Sequence, residues 1–385
     1  MVFRKPKAAK GRRRVASARP VSAPGPRGRR EAAAEPFRIR EAAPKDLDAL
    51  HELAAYLNSV NLPANKEFIR QKVRASRDSF STKQEHVFKR EYLFVLEGVD
   101  TGRVAGTSML FAQHGQSEAP HIYFDVVHDE RYSVTLDRHF SHLCLRLGFN
   151  YRGPTEIGGL VLDPSLRSLG LGKQLSYVRF LFIAMFRNRF RGEVIAELMP
   201  PLLPDGRSPL WEHLGRHFTG LAYQEADKLS QTNKEFITSL FPQTPLYASL
   251  LPPEVQKQIG EVGEETKGVR RMLESIGFEY SERIDPFDGG PHFEAQTDDI
   301  SLVRDARLYL LDDAALTEEQ AALTSSAEET ASARVMLGIG HTEGPCQFRA
   351  IATRVRVQGG AVQVSERVRD ALALPRGANV WTIPY

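Results

Sequence analysis

The chain has 385 residues, of which 42% are hydrophobic and 26% charged, as in globular proteins of two or three domains. Its only cysteines are Cys144 and Cys346. This excludes a disulfide framework or a cysteine-rich zinc site and fits a reducing compartment. No apolar run reaches the roughly 18–20 residues of a membrane helix. We therefore expect a soluble, cytoplasmic protein without a membrane partner.

Positive charge is concentrated at the N-terminus, where residues 1–36 hold eleven lysines or arginines and two acids. The rest of the chain carries a formal net charge of −6. The tail is rich in Arg, Ala, Pro and Gly, so we predict that it is disordered. It could bind nucleic acid or an anionic surface, target the protein, or only increase its solubility.

The first predicted elements follow the order β-α-α-β-β and cover residues 37–41, 46–57, 65–76, 92–97 and 104–111. A strand is predicted at 121–127, with a strand pair or an insertion in the remainder of 113–155. Further strands are predicted at 157–162, 192–198, 278–284 and 292–296. Helices are expected after residue 163, from Ser208, and at 232–241, 253–259 and 266–276.

We predict a large domain of strands and helices at 37–300, a linker or surface helix at 301–334, and a small β-rich C-terminal domain at 335–385. The last of these rests on short apolar runs at 347–357, 361–364 and 379–383, which glycine and proline turns separate.

A glycine-rich turn joins the strand Ile157–Leu162 to the helix that follows it. The turn reads Arg167-x-x-Gly170-x-Gly172 and is followed by Lys173. Glycines at a helix N-terminus allow close approach to unpaired backbone N–H groups, which favours a pyrophosphate ligand. The dinucleotide fingerprint and the P-loop motif are both absent.

The turn resembles the acyl-CoA-binding motif of the GCN5-related N-acetyltransferase superfamily. Within that superfamily, the chain is similar to the arginine N-succinyltransferase family between about Phe37 and Leu311. The similarity rests on short sequence motifs that occur in the same order as in the family. Among them are Leu62-Pro-Ala-Asn65, Tyr92-Leu-Phe-Val-Leu-Glu97, Leu162-Asp-Pro164, Val194-Ile-Ala-Glu197, Ser208-Pro-Leu-Trp211, Pro245-Leu-Tyr247 and Asp285-Pro-Phe-Asp-Gly-Gly-Pro291.

The resemblance implies an α/β (α+β) fold with a mixed sheet flanked by helices. It also implies succinyl transfer from succinyl-CoA to the α-amino group of L-arginine, in arginine catabolism. Succinyl-CoA would act as a co-substrate, with no permanently bound cofactor and no cysteine nucleophile. The residues expected to bind it are Leu160, Val161, Leu162, Arg167, Gly170, Leu171, Gly172 and Lys173.

The resemblance assigns a proton-donor histidine to the position after Ile259-Gly-Glu-Val262, but Gly263 occupies it here. We name Glu156 and His292 as catalytic candidates, Glu156 as the base and His292 as a relocated acid. A strand-end carboxylate and a hydrogen-bonded strand histidine are the alternative interpretations.

Recognition of a guanidinium requires carboxylates, and we select Glu197 and Asp288 as substrate-binding residues. Asp285 and Glu294 are further options, and Arg179 or Arg187 could bind the succinyl carboxylate. The spacing of His213 and His217 suits a shared helix face, but without a third ligand we predict no metal site.

Alternatives to this function are transfer to another amine such as ornithine or a polyamine, and a non-catalytic protein that binds CoA or arginine. An acyltransferase tethered to nucleic acid by its tail is a third. A homo-oligomer is possible.

Overall fold

A long mixed β-sheet runs through the computed structural model, which describes residues 36–56, 61–116, 119–230, 233–317, 332–341 and 347–385. The predicted disorder of the tail, the predicted helix end at Leu57, residues 318–331 of the expected linker and Cys346 lie outside these ranges. Phe37–Tyr385 form one compact unit. No helix in the described ranges is both long and apolar enough to span a membrane.

The strands are named in chain order. They are β1 (Phe37–Glu41), β2 (Glu91–Gly98), β3 (Val104–Phe111), β4 (His121–Ser133), β5 (Arg138–Asn150), β6 (Thr155–Leu162), β7 (Glu193–Glu197), β8 (Leu246–Tyr247), β9 (Glu279–Ile284), β10 (Pro291–Gln296), β11 (Arg307–Leu311), β12 (Ser332–Gly340), β13 (Phe348–Gln358), β14 (Ala361–Gln363) and β15 (Asn379–Pro384).

The α-helices are named in the same way. They are α1 (Leu47–Ala54), α2 (Lys66–Phe80), α3 (Leu171–Met185), α4 (Arg216–Thr219), α5 (Tyr223–Ser230), α6 (Glu235–Leu240), α7 (Pro253–Gln256), α8 (Lys267–Glu274), α9 (Ser301–Arg304) and α10 (Glu366–Leu372). The side chain of Asn65 accepts a hydrogen bond from the Phe68 N–H and caps α2. Ser208 accepts one from the Trp211 N–H, where a π-helical turn leads into α4.

The middle of the sheet has the order β1-β2-β3-β6-β7-β10-β9-β4-β5. All neighbours are antiparallel except β6 and β7, which are parallel because α3 crosses between them. The helix α3 is buried along most of its length, and Val178, Leu181 and Phe182 belong to the largest apolar core. It therefore anchors the turn at its N-terminus to the centre of the molecule.

The C-terminal strands close into a ring of five. Their order is β13-β12-β15-β11-β14, and β14 pairs again with β13. Strand β13 also pairs with β1, so the ring continues the same sheet. The residue range expected as a linker contains α9 and β11. No division between compact units falls near residue 300 or 334, and independent folding of residues 335–385 stays a prediction.

Candidate active site

Strands β6 and β7 separate soon after they begin to pair. Their parallel pairing joins Thr155 to Val194 and Glu156 to Ile195, and no further pair is formed among the described residues. Continuing the register by two residues brings Glu197 level with Gly158. The rest of β6 therefore presents an open edge to the gap, and this gap is the cleft described below.

A β-bulge lies on the open edge of β6. Ser108 of β3 stands opposite two residues, Gly159 and Leu160, where the register shifts. Gly159 has φ +55°, and a Cβ there would lie 2.8 Å from the Cγ of Met109. Only glycine suits this left-handed, crowded position. The bulge turns the backbone of β6 away from regular pairing at the candidate CoA-binding residue Leu160.

The glycine-rich turn ends the same strand and begins α3. Gly170, the N-cap residue, has φ +75°, and Ser168 has φ +77°. A non-glycine residue in this region is strained, and such strain is commonly found where a loop holds a ligand. The side chain of Arg167 is exposed, and a Cβ on Gly172 would meet no atom within 4 Å. The start of α3 is therefore uncrowded at Gly172, and the first N–H groups of a helix have no partner four residues back.

The other predicted CoA-binding residues differ in their burial and contacts. The side chains of Val161 and Leu171 are buried, so only their backbones can contact a ligand. Lys173 lies over the rings of Tyr177 and Tyr385, with its Nζ 4.9 and 4.6 Å from their centroids. It therefore keeps its cation beside the turn. Leu160 and Leu162 are half-buried.

Glu156 contacts His114 and Asn61 at the narrow end of the cleft. One carboxylate oxygen of Glu156 contacts the Nδ1 of His114, and the other accepts a hydrogen bond of 2.8 Å from Asn61 Nδ2. Burial alone would raise the pKa of Glu156, but His114 and Asn61 lower it to about 2. Burial likewise opposes a charge on His114, yet Glu156 raises the pKa of that imidazole. The two form an ion pair.

Glu197 lies at the centre of three histidines. Its Oε1 is 3.7 Å from the Nε2 of His114, 3.7 Å from that of His121 and 3.6 Å from that of His292. Burial and the nearby charge of Glu156 raise the pKa of Glu197 to about 7, although His114 opposes this. Glu156 is therefore held ionised, whereas Glu197 changes its charge near neutral pH.

His121 and His292 are buried neutral rings. Burial lowers the pKa of His292 to about 3 and that of His121 well below its ordinary value. Neither nitrogen of His292, nor the Nε2 of His121, has a hydrogen-bond partner among the described residues. Both rings are therefore neutral, and each keeps one N–H but lacks the second proton that an imidazolium would give up as an acid. The role of His292 as acid stays a prediction, and this electrostatic setting does not favour it.

Three further carboxylates, Asp227, Asp285 and Asp288, interact electrostatically with one another beside Glu197. Burial raises the pKa of all three: that of Asp227 to about 6, that of Asp285 above its ordinary value, and that of Asp288 well above it. The charge of Lys234 acts on Asp227, Asp285 and Glu197. Its ammonium group makes no hydrogen bond to any described residue. We call Glu197, Asp227, Asp285 and Asp288 the acidic cluster.

Several sequence candidates lie elsewhere. Arg179 is buried and donates to the carbonyl and hydroxyl of Ser176, and Arg187 pairs with Asp298. Glu294 faces Arg283. The Nδ1–H of His213 donates a hydrogen bond to the Pro209 carbonyl, within its own helical turn.

Gly263 adjoins the loop that follows Glu197. Its N–H donates to the Met199 carbonyl at 2.9 Å, and a Cβ would lie 3.0 Å from the Pro200 carbonyl oxygen. The position to which the resemblance assigns a proton donor therefore borders the acidic cluster.

Two sets of three side chains place donor atoms within 4.8 Å of one another, close enough for a metal ion. They are His114, His121 and Glu197, and Glu197, Asp285 and His292. Both share Glu197, and the ion pair of His114 with Glu156 supplies a positive charge there without a metal. The absence of a metal site stays a prediction.

Sequence reasoning missed His114, His121, Asn61 and Lys234. His114 follows β3, and His121 begins β4. None of the family motifs used in the sequence analysis lies between residues 113 and 155. The pairing of β10 with β7 places His292 opposite Glu197. A search for histidines at the ends of predicted strands could have found His121.

A mixed sheet that splits between two parallel strands, with a bulge on one and a glycine-rich helix N-terminus at its end, defines an acyl-CoA N-acyltransferase. Comparison with known proteins identifies the group more narrowly. The family described as arginine N-succinyltransferase beta subunit matches residues 37–302. The chain belongs to this family and is an acyltransferase.

Individual relatives support this family assignment. An arginine N-succinyltransferase from Yersinia enterocolitica is 37% identical over 72% of this chain and 81% of its own length. The beta subunit of the Pseudomonas aeruginosa enzyme is 34% identical over 90% of this chain and 97% of its own. The solved structure of arginine/ornithine succinyltransferase subunit AI from Pseudomonas aeruginosa has a TM-score of 0.76 at 27% identity, covering 91% of this chain and 99% of its own.

Proposed function

We propose that the protein transfers the succinyl group of succinyl-CoA to the α-amino group of L-arginine. The observation that carries this proposal is the acidic cluster, in which burial raises the pKa of four carboxylates. Such groups have too little positive charge around them in the free protein, and a cationic acceptor would supply it. A guanidinium group fits because it pairs with several carboxylates at once.

The donor would lie along the open edge of β6. The amides at the start of α3 suit the CoA pyrophosphate, with Arg167 and Lys173 adding positive charge. The pantetheine arm would then pair with the backbone of Leu160 to Leu162. This direction brings the thioester to the bulge at Gly159, close to Glu156 and Glu197.

The acceptor would enter from the opposite end of the cleft. Its guanidinium would pair with Asp285 and Asp288, and its α-ammonium group with Glu197. Lys234, whose charge acts on Glu197 and Asp285 and which has no hydrogen-bond partner among the described residues, would bind a substrate carboxylate. Asn61 and Glu156 would hold His114 in its protonated form.

The proposed reaction is direct attack of the amine on the thioester carbonyl. Glu197 accepts a proton from the ammonium group, because its pKa of about 7 is suited to proton exchange at neutral pH. The nitrogen–carbon bond forms and the carbon–sulfur bond breaks. The protonated His114 supplies a proton to the leaving thiolate, and the second proton lost by nitrogen passes to solvent. Glu197 then returns its proton to His114, whose Nε2 lies 3.7 Å from Glu197 Oε1, and both groups regain their starting states.

Release of CoA thiol from succinyl-CoA tests the proposal. We expect release with arginine that exceeds release with ornithine or putrescine, and that falls when acetyl-CoA is the donor. Preference for ornithine would move the acceptor assignment to that amine. Binding of succinyl-CoA without thiol release in the presence of any of these amines would contradict catalysis.

The location and assembly of the protein stay predictions. The small number of cysteines is the observation behind a cytoplasmic location, and the charge of residues 1–36 is the one behind nucleic-acid binding. A homo-oligomer is also still a prediction.

A further inference from the structure

A second cavity, of about 490 Å³, lies beside helix α2 and shares no lining residue with the cleft. Its walls come from the C-terminal half of α2, from the end of β1 and from Gln347 before β13. Its volume is within the range of about 300–1,000 Å³ that small-molecule sites occupy. The proposed acyl transfer gives this cavity no role.

Most of the charged groups around the cavity are cations. Arg70, Arg74 and Arg77 follow one another at helical spacing, so they share a face of α2. Like charges at this spacing destabilise a helix. Arg74 and Arg77 donate no side-chain hydrogen bond to any described residue. The helix therefore bears unneutralised positive charge on the face that borders the cavity.

The acids in the walls do not balance these cations. Arg70 forms an ion pair with Glu67, outside the cavity walls, whereas Arg74, Arg77 and Lys83 share the walls with Glu41 and Asp78. Glu41 is buried, and burial raises its pKa above the ordinary value despite a hydrogen bond from the Gln347 N–H. Three cations therefore face two acids, of which Glu41 is buried and already hydrogen-bonded, and the basic tail has the wrong sign to fill the cavity.

The positive surface continues into a neighbouring cavity of about 330 Å³. The two cavities share Arg74, Asp78 and Lys83, and the second adds Lys89 together with the amides of Gln71 and Gln84. Guanidinium and ammonium groups around an amide-lined space match phosphate oxygens in charge and hydrogen bonding.

We propose that these joined cavities bind a small molecule carrying two or more phosphate groups. Arg74 and Arg77 would pair with its phosphate oxygens, and Lys83 would add charge at the boundary between the cavities. Either a nucleoside polyphosphate or an inorganic polyphosphate presents this chemistry.

Isothermal titration of the full chain with tripolyphosphate, and separately with ATP, tests the site. We expect saturable binding of tripolyphosphate that weakens as salt is raised. A double variant, Arg74→Glu with Arg77→Glu, should lower the affinity at least tenfold. Tighter binding of ATP than of tripolyphosphate would identify a nucleoside subsite.

The control is a second double variant, Lys257→Glu with Arg271→Glu. It makes the same change in net charge at two exposed positions that line neither cavity. It should bind tripolyphosphate nearly as the unaltered protein does. A Gly170→Val variant, altered in the CoA turn, should also keep this binding. Equal loss in both charge variants, or no saturable binding to the unaltered protein, would overturn the proposal while leaving the acyl-transfer assay unaffected.

Discussion

Single residues divide the cleft into groups with fixed and variable charge. Glu156 stays ionised beside His114, whereas Glu197, which has less compensating charge, has a pKa of about 7. Both carboxylates are candidates from the sequence, because each begins or ends a recognisable strand. Their different behaviour depends on His114, which lies 42 residues from Glu156 along the chain and reaches it through the fold.

Replacement of His114 tests its proposed role as the acid. His114→Asn should lower kcat by about 10²–10³, because general acid catalysis is lost while the binding groups remain. Adding Gly263→His should restore part of the rate, since that position borders the same cluster. Steady-state kinetics with succinyl-CoA and arginine measure both effects. An unchanged kcat in His114→Asn would exclude this role.

The pH dependence of arginine binding tests Glu197. Its pKa of about 7 means that the carboxylate loses its charge as pH falls through 7. The KM for arginine should therefore rise below pH 7 and level off above pH 8. In Glu197→Gln the KM should be high and nearly independent of pH over this range. A wild-type KM that does not vary between pH 6 and 8 would contradict the assignment.

Individual elements were predicted best where a local pattern determines them. The alternation in β1 and the apolar runs of β2, β3 and β6 give their bounds to within one or two residues. The ribbon of β4 and β5, by contrast, extends to Ser133 and back from Arg138, far beyond the predicted strand at 121–127. The outer residues of the ribbon pair only with each other, and their sequence does not alternate between apolar and polar residues as a half-buried strand does. Helix α5 was also missed.

The turn before α3 provides a test at this level. Gly170→Val places a β-branched side chain at φ +75° and should distort the amides at the helix N-terminus. The KM for succinyl-CoA should rise at least tenfold, with a smaller change for arginine. Gly268→Ala is the control, because a Cβ there meets no atom within 4 Å. Unchanged succinyl-CoA kinetics in Gly170→Val would exclude the turn as a donor site.

At the scale of the whole molecule, the pairing of β1 with β13 joins the C-terminal strands to the rest of the sheet. The sequence did not predict this pairing. The C-terminal strands looked like a separate domain because Gly359-Gly360 and Pro375-Arg-Gly377 divide them clearly. Their closure into a ring depends on strands that lie tens of residues apart, and its continuity with β1 depends on residues more than 300 apart, such as Arg38 and Ile351. No local pattern contains these pairings. An ion network beside this junction joins Arg38 and Arg40 of β1 to Glu97 of β2.

This network predicts a loss of stability in acid. Burial would raise the pKa of Glu97, but Arg40 and Arg38 lower it to about 2 from an ordinary value of 4.5. Because the folded-state pKa is the lower one, the stabilisation is complete above pH 4.5 and is lost as pH falls towards 2. A shift of this size corresponds to about 3 kcal/mol.

Chemical denaturation between pH 7 and pH 3 measures this contribution. Glu97→Gln should be destabilised at pH 7, because the buried Arg40 loses one of its two carboxylate partners and keeps Asp46. Its difference from the unaltered protein should shrink as pH is lowered. A difference that stays constant with pH would show that Glu97 titrates as it does in the unfolded chain.

The most direct test of the account is the identity of the product. Mass spectrometry of a reaction containing the protein, succinyl-CoA and L-arginine should find arginine bearing one succinyl group, with fragments that place it on the α-nitrogen. The amount should equal that of the CoA released. Succinate released without any succinylated arginine, or a succinyl group on the guanidinium nitrogen, would contradict the proposed arrangement of donor and acceptor in the cleft.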